Sequence, residues 1–267
     1  MFADDHPQAI AYLESDRLRH LVHLKFLHLY PDAVHGTYAR VDGQTAVLLD
    51  YPTPTASKDA SSYPESTWIY LPVASGASAA RYLIEQVRKS APANIVCKFC
   101  DPLTRDLFVA AFGLQYARSV ISYTITPQAF QHTVGQTVKI VCELDDAHAN
   151  LYARNEYTRG ELEGYFMDGA QSFSIYEGAA LVCSCFIFRN FGDVWEIAGV
   201  HTLDHARRKG YARQVVIAAL DTLLKTGRIP RYQVESHNTA SMRLAESLGL
   251  TVCLRFEHYL SPGQDFS

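Results

Sequence analysis

The sequence predicts a mixed α/β fold, with a mostly antiparallel central sheet flanked by helices, and it predicts that fold twice. Three observations carry this. A strand, a basic turn, a helix, a second strand and a short capped helix follow one another over residues 195–250. An antiparallel meander over residues 173–202 leads into that unit. The later order of strand, loop, short helix and Gly-Leu exit already occurs upstream, over residues 96–116.

In the first half, residues 34–51 read as a hairpin closing at Asp42-Gly43, a dipeptide suited to the left-handed conformations of a tight turn. Residues 67–73 read as a strand, and Ser75 through Ala80 open a helix that runs to Val87. The Pro- and Ser-rich run 51–66 is expected to be a mobile loop. His20, His23 and His28 lie on a Leu-rich helix and read as ordinary helix residues. Aligning Gly113 on Gly249 pairs Phe108 with Leu244, Phe112 with Leu248, Leu114 with Leu250 and Tyr123 with Tyr259. It also makes the strand 96–100 the counterpart of 232–236. The expectation is two tandem domains, a degenerate copy over 1–130 and a complete one over 131–267, joined through the polar stretch 126–136. The alternative is a coincidence of two generic α/β segments.

In the second half, residues 144–157 and 159–167 read as helices. Residues 173–176, 181–188 and 194–202 form the meander, with a turn at Glu177-Gly178. The last of these strands delivers the chain to Arg207-Arg208-Lys209-Gly210-Tyr211-Ala212. Ala212, Val216, Ala219, Leu220 and Leu223 then recur at helical spacing, which puts the basic turn at a helix N-terminus. Unpaired backbone N–H groups and the positive end of the helix dipole bind anions there. Gly210 allows close backbone approach to a ligand, and three cations supply charge that a diphosphate can use. The turn lacks the Gly-Lys-Ser/Thr of a P-loop and the first two glycines of a dinucleotide fingerprint. The plain alternative is a surface loop with three cations ahead of an ordinary helix. Gly227 ends the helix, residues 231–235 read as a strand, and Asn238 and Gly249 bracket a short helix as N-cap and C-terminal stop.

Arg207-x-x-Gly210-x-Ala212, followed by Asn238-x-x-Ser241-x-x-Leu244 and Leu248-Gly249-Leu250, resembles the GNAT superfamily of acyl-CoA-dependent N-acyltransferases. The pattern is most similar to the subgroup that includes the glycine N-acyltransferase-like C-terminal domain. The resemblance implies a splayed parallel strand pair and a site for acetyl-CoA or coenzyme A as co-substrate. The backbone of Val200, His201 and Thr202 would pair with the pantetheine arm. Amides from Arg208 through Lys209, Gly210 and Tyr211 to Ala212 would hold the pyrophosphate, with Arg207 opening the loop. Asn238 and Ser241 would contact the cofactor from the second motif, Asn238 serving as N-cap as well. The first copy keeps Gly76 but none of the cations and has Pro102 where the second has Asn238, so it should bind the cofactor poorly or not at all.

An amine with a pKa near ~10 must lose a proton before it can attack a thioester. The candidate base is Glu196, on the strand entering the turn, in strand parity with Ala198, Val200 and Thr202 and where several family members carry a catalytic Glu. Glu235 and His237 are the alternatives. Where many relatives carry a Leu-Tyr-Glu triplet whose Tyr protonates the departing thiolate, this chain has Leu244-Ala245-Glu246, so no general acid is assigned.

Composition narrows the remaining classes. The chain has 267 residues, 48% of them hydrophobic, and a formal net charge of −4, which does not fit a basic nucleic-acid binder. Neither a signal peptide nor a membrane span is expected, since no segment reads as a leader and no apolar run approaches membrane-span length. Six cysteines without a small secreted framework point to a reducing cytoplasm. Cys97-x-x-Cys100 is a lone pair and reads as two strand cysteines rather than a zinc site, and Cys183 and Cys185 share a strand face. The expected activity is N-acetyl transfer to a primary amine by direct attack in a ternary complex, without a metal, on a small-molecule amine or amino-acid acceptor, by a monomer or homodimer. The alternative is a CoA-binding module that has lost catalysis.

Overall fold

The computed structural model describes residues 6–135 and 137–263; the polar N-terminal stretch up to Asp5, and Gln136 at the end of the expected linker, lie outside the described residues. The chain divides into two compact units, Met1–Val120 with Leu254–Ser267, and Ile121–Cys253. The division differs from the expected 1–130 and 131–267 because the last strand returns to the first unit.

The first unit opens with helices α1 (His6–Glu14) and α2 (Leu21–Leu29), then strands β1 (His35–Val41) and β2 (Gln44–Pro52), joined by the Asp42-Gly43 turn. Both turn residues have positive φ, 49° and 77°. Helix α3 (Ser57–Ser62), β3 (Trp68–Ala74), α4 (Ala77–Ser90), β4 (Ile95–Phe99), α5 (Pro102–Phe112) and the start of β5 (Gln115–Thr124) follow. Strands β1, β2 and β3 are antiparallel neighbours, β3 and β4 are parallel, and beside β4 lies the C-terminal strand β11 (Thr251–Leu260), antiparallel. Ala79, Ala80, Leu83, Ile84 and Val87 form one buried stripe of α4, packed on Leu48, Tyr70, Cys97, Phe99 and Phe108.

The run 51–66 is packed, which corrects the expectation of a mobile loop. It contains a 3-10 turn (Thr53–Thr55) and α3, with Thr53, Asp59 and Ser66 buried. Asp59 anchors it, pairing with Lys98 Nζ at 2.5 Å and accepting the Tyr51 hydroxyl at 2.8 Å. Polar residues near Asp59 read as loop because their buried partners are remote in sequence. Of the three histidines at α2, His28 is exposed as an ordinary helix residue, but His20 and His23 are not. His20 is buried at the N-cap of α2, and His23 is fully buried, its ring edge-on to Phe256. Burial, helped by neighbouring His20, pushes the His23 pKa down to about 3.

The second unit contains the end of β5, β6 (Lys139–Val141), α6 (Asp146–Tyr152), α7 (Arg159–Met167), β7 (Gln171–Glu177), β8 (Ala180–Phe191), β9 (Val194–Thr202), α8 (Tyr211–Lys225), β10 (Ile229–Glu235) and α9 (Thr239–Ser247). Its strand order is β5-β10-β9-β8-β7-β6. The strands from β6 to β9 are antiparallel neighbours, and β9 and β10 are parallel. One face packs Val215, Val216, Ala219, Leu220 and Leu223 of α8 against Cys183, Cys185, Ile187, Trp195 and Ile197. Cys183 and Cys185 therefore share a face, as alternation requires. On the other face, Phe186, Phe188 and Ala198 pack against Tyr152 of α6 and Leu162 of α7. The single helix expected over 144–157 stops at Tyr152, continues as a 3-10 turn (Ala153–Asn155) and ends where Glu156 turns left-handed at φ 65°. Thr158 then starts α7 with a reciprocal capping box to Glu161.

The two units share one grammar. In each, two antiparallel pairings are followed by a helical crossover to a parallel strand, a short helix and a left-handed glycine, Gly113 or Gly249. Phe108 and Leu248 are both buried, while Phe112 and Leu244 are partly so. The strand alignment needs one correction. Cys97 and Phe99 face α4 as Tyr232 and Val234 face α8, so the strands correspond one residue out of step with the pairing of 96–100 and 232–236.

Candidate active site

Pairing of β9 with β10 runs from Val194 opposite Ile229 to Ile197 opposite Tyr232 and then stops, although both strands continue. A cavity of about 530 Å³ lies beyond that point. Val200, His201 and Thr202 line it from β9, Arg207, Arg208, Gly210, Tyr211 and Ala212 from the turn and helix tip, and Asn238 and Ser241 from the start of α9. Helix α8 begins at Tyr211, so the amides of its first turn have no intrahelical carbonyl to bond. Arg208 and Gly210 both have positive φ, 64° and 78°, a local geometry of the kind from which backbone N–H concavities are built. Left-handed backbone is costly for Arg208, and such strain clusters at functional sites. A Cβ placed on Gly210 would meet nothing within 4 Å, so the space above the helix tip is open.

The three cations of the turn are not equivalent. Lys209 is absent from the cavity lining, because its Nζ pairs with Glu177 at 2.7 Å, and the Tyr211 hydroxyl donates to the same carboxylate. Arg207 holds Asp204 at 2.8 Å and donates to the Thr202 carbonyl. Arg208 makes no ion pair with any described residue and remains available to a diphosphate. Asn238 caps α9 by accepting the Ser241 N–H at 3.1 Å while lining the cavity, so both roles read from its position are geometrically compatible. Glu235 and His237 do not line it.

The parity expected for Glu196 fails beyond Ala198. Register places Glu196 opposite Phe188 and Ala198 opposite Phe186, then shifts so that His201 faces Ser184 and Thr202 faces Cys183. The bulge sits at Gly199, with φ 61°, where an added Cβ would lie 2.6 Å from the Phe186 ring and 2.9 Å from that of Tyr152. Glu196, Ala198 and His201 therefore share the face under α6 and α7. Val200 packs with the α8 core, and Thr202 donates to Cys183 Sγ on that side. The first unit has no such break, since β2 and β3 pair without interruption from Ala46 opposite Ala74 to Pro52 opposite Trp68.

Glu196 is 4% exposed, far more enclosed than its place near a strand start suggests. Its Oε2 accepts from Arg231 Nη1 and Asn190 Nδ2, each at 2.8 Å, while its buried Oε1 has no partner. Arg231, itself 2% exposed, also donates to Ser122 and Gln233. The pair is charge-balanced, and its geometry leaves one carboxylate oxygen for a proton donor. Tyr157 and Tyr165 are close enough to feel the Glu196 charge: burial and then Glu196 raise the Tyr157 phenol pKa, and burial, then Glu161, then Glu196 raise that of Tyr165. Arg231, Asn190, Asn155 and Arg213, a further cavity-lining residue, carried no motif signal. Only the pairing of β9 with β10 could have identified Arg231, which stands opposite Glu196.

At the β3-α4 turn of the first unit, the Gln44 side chain covers the start of the helix. Gln44 Oε1 accepts the Ala79 N–H at 3.2 Å, and a Cβ on Gly76 would lie 2.4 Å from the Gln44 amide. Among the described residues no group of three or more His, Cys, Asp or Glu is placed to hold a metal, and no helix is long and apolar enough to cross a membrane. All six cysteines are unpaired, and burial raises the thiol pKa values of Cys97 and Cys100, the latter to about 12.

Residues 127–259 match the family model described as GNAT acetyltransferase. No curated protein matches the sequence. Among solved structures, a GCN5-related N-acetyltransferase from Sphaerobacter thermophilus is 13% identical, with 97% of this chain and 94% of that one covered at a TM-score of 0.60. An acetyltransferase of the GNAT family from Colwellia psychrerythraea is 11% identical, covering 97% and 96% at 0.60. A tandem GNAT protein from the clavulanic acid biosynthesis pathway is 12% identical, covering 99% and 98% at 0.55. At these identities the likeness concerns the fold, and it extends over both units.

Proposed function

We propose, on the premise that residues 127–259 belong to the GNAT acetyltransferase family, that this chain moves an acetyl group from acetyl-CoA to a primary amine by direct attack in a ternary complex. The observation that carries the reading is the cavity beyond the last β9-β10 pair, bounded by the amides at the tip of α8. The splayed strand edge supports pairing of the pantetheine arm with Val200, His201 and Thr202. The turn from Arg207 to Ala212 suits the pyrophosphate, with Arg208 the uncommitted cation, and Asn238 and Ser241 close the far side. Glu196 is the general base, acting through Oε1, directly or by way of a water. Arg231 and Asn190 hold its other oxygen. Lys209 acts indirectly, by fixing Tyr211 and the turn through Glu177.

The acceptor is a small-molecule amine or amino acid, and the protein acts in the cytoplasm as a monomer or homodimer. The finer likeness to the glycine N-acyltransferase-like subgroup is part of this proposal. Calorimetry with acetyl-CoA, followed by thiol release in the presence of a panel of amines, tests it. The expected result is binding at one site per chain and amine-dependent release of CoA; absence of binding overturns the reading. One observation favours a second reading, a CoA-binding module without turnover. Ala245 replaces the Tyr hydroxyl of many relatives, and it is buried against the α8 core, leaving no proton donor for the sulfur at that position. Binding without amine-dependent release selects that reading.

A further inference from the structure

Two buried acceptor atoms on one face of β9 have no hydrogen-bond partner, Glu196 Oε1 and His201 Nε2. The base role uses the first and leaves the second without a task. Its neighbours fix the state of the imidazole. Asn155 Nδ2 donates to the Val200 carbonyl at 3.4 Å, which turns Asn155 Oδ1 toward the ring. That oxygen lies 3.3 Å from His201 Nδ1, so Nδ1 carries the proton and Nε2 keeps a bare lone pair. Burial of the ring, reinforced by Arg154 and Arg207 against the opposing charge of Asp204, lowers the His201 pKa, so the imidazole is neutral at pH 7. An acceptor left buried and unpaired carries a desolvation cost that no protein hydrogen bond offsets. Such an atom beside a ligand cavity fits a group that meets its proton only when substrate is bound.

We propose that His201 is a second catalytic residue, a proton shuttle from the acceptor nitrogen to the departing sulfur. The proposal rests on the acetyl-transfer reading above. Glu196 first takes a proton from the ammonium and passes it to solvent, leaving the neutral amine. As the N–C bond to the acetyl carbon forms, a nitrogen-bound proton passes to His201 Nε2. As the C–S bond breaks, Nε2 returns that proton to sulfur. The products are the amide and the free thiol of CoA, with His201 again neutral. Glu196 and His201 flank the Gly199 bulge and share the face of β9 under α6 and α7. The shuttle also provides the acid that Ala245 cannot.

The test compares wild-type protein with His201→Gln and His201→Ala, using acetyl-CoA and whichever amine of the panel supports release. The expected result is a fall in kcat of about 10²-fold or more in both variants, with acetyl-CoA affinity by calorimetry within twofold of wild type. Added imidazole should restore part of the rate to His201→Ala, a rescue that loss of packing would not permit. If the Ala variant does not fold, the Gln variant, which fills similar space, carries the test alongside Asn155→Ala. The latter keeps the imidazole but frees its tautomer, and should show a smaller loss with a displaced acid limb of the pH profile. His201→Gln turning over at more than a third of the wild-type rate overturns the proposal, as does a parallel loss of affinity and kcat. Those outcomes leave the acetyl-transfer reading intact if Glu196→Gln still loses about 10²-fold in turnover; wild-type protein that binds no acetyl-CoA defeats that reading instead.

Discussion

Glu196 and His201 lie on the same face of β9, although uninterrupted alternation would place them on opposite faces. The Gly199 bulge accounts for this, by inserting one residue opposite β8 between the Ala198 and His201 pairings. It brings two unpartnered acceptor atoms onto the face under α6 and α7, and the residues that follow it, Val200, His201 and Thr202, line the cavity.

The bulge is therefore the first place to perturb. Gly199→Ala introduces a methyl group into the Phe186 and Tyr152 rings at a left-handed backbone position. We expect a loss of about 1–3 kcal/mol in stability from overpacking, read from the denaturant midpoint, together with weaker acetyl-CoA binding. A variant with unchanged midpoint and unchanged affinity would show that the bulge is dispensable.

Gly210 tests the helix tip. Its surroundings are open, so Gly210→Val does not clash within the protein, but it places a branched side chain over the amides and disfavours φ 78°. Acetyl-CoA affinity should fall at least tenfold, an energy of about 1.4 kcal/mol, in a folded protein. Calorimetry giving wild-type affinity would remove the turn from the binding site.

Glu196 and Arg231 separate catalysis from folding. Glu196→Gln keeps the shape and removes proton acceptance, so turnover should drop about 10²-fold while acetyl-CoA still binds. Arg231→Met leaves the Glu196 carboxylate buried without its counter-charge, and should cost about 3–5 kcal/mol in urea unfolding. An Arg231→Met protein as stable as wild type would mean that Glu196 is neutral or solvated in the folded state.

Acid sensitivity should originate in the first unit. The folded pKa of His23 is about 3 against 6.5 for a free imidazole, so below pH 6.5 the unfolded chain binds a proton that the folded chain refuses. Its contribution to stability is complete above pH 6.5 and declines as pH falls toward 3, by as much as roughly 4–5 kcal/mol. His258, whose pKa is held well below its ordinary value by burial and then by Lys98 and Arg118, acts in the same direction. Replacing His23 by Phe or Leu should flatten the stability profile between pH 6.5 and 4; an unaltered slope would place the acid lability elsewhere.

The first unit should bind no CoA. Its helix tip is plugged by Gln44 and carries none of the cations of the second, so calorimetry should give one acetyl-CoA per chain. Gln44→Ala should leave that stoichiometry unchanged. A second equivalent in wild-type protein would contradict the assignment of the first copy as degenerate.

The sequence by itself determined the class of fold, the repeated grammar and the basic turn at the tip of α8. Those features depend on local causes: apolar periodicity in α8, the cap at Asn238, the left-handed glycines at Gly113, Gly210 and Gly249, and cations adjacent in the chain. Tertiary structure alone decided the rest. Strand parity is legible only while pairing is regular, so the bulge at Gly199 concealed the shared face of Glu196 and His201. Arg231 and Asp59 have polar side chains that local reading assigns to solvent or loop, and their burial depends on Glu196 and Lys98, partners far away along the chain. Lys209 looks equivalent to Arg208 as a charge, but the position of Glu177 commits one and leaves the other available. The domain boundary was hidden for the same reason, because strand order is a choice among remote partners that share the same hydrophobic pattern, and β11 follows α9 in sequence yet completes the sheet beside β4.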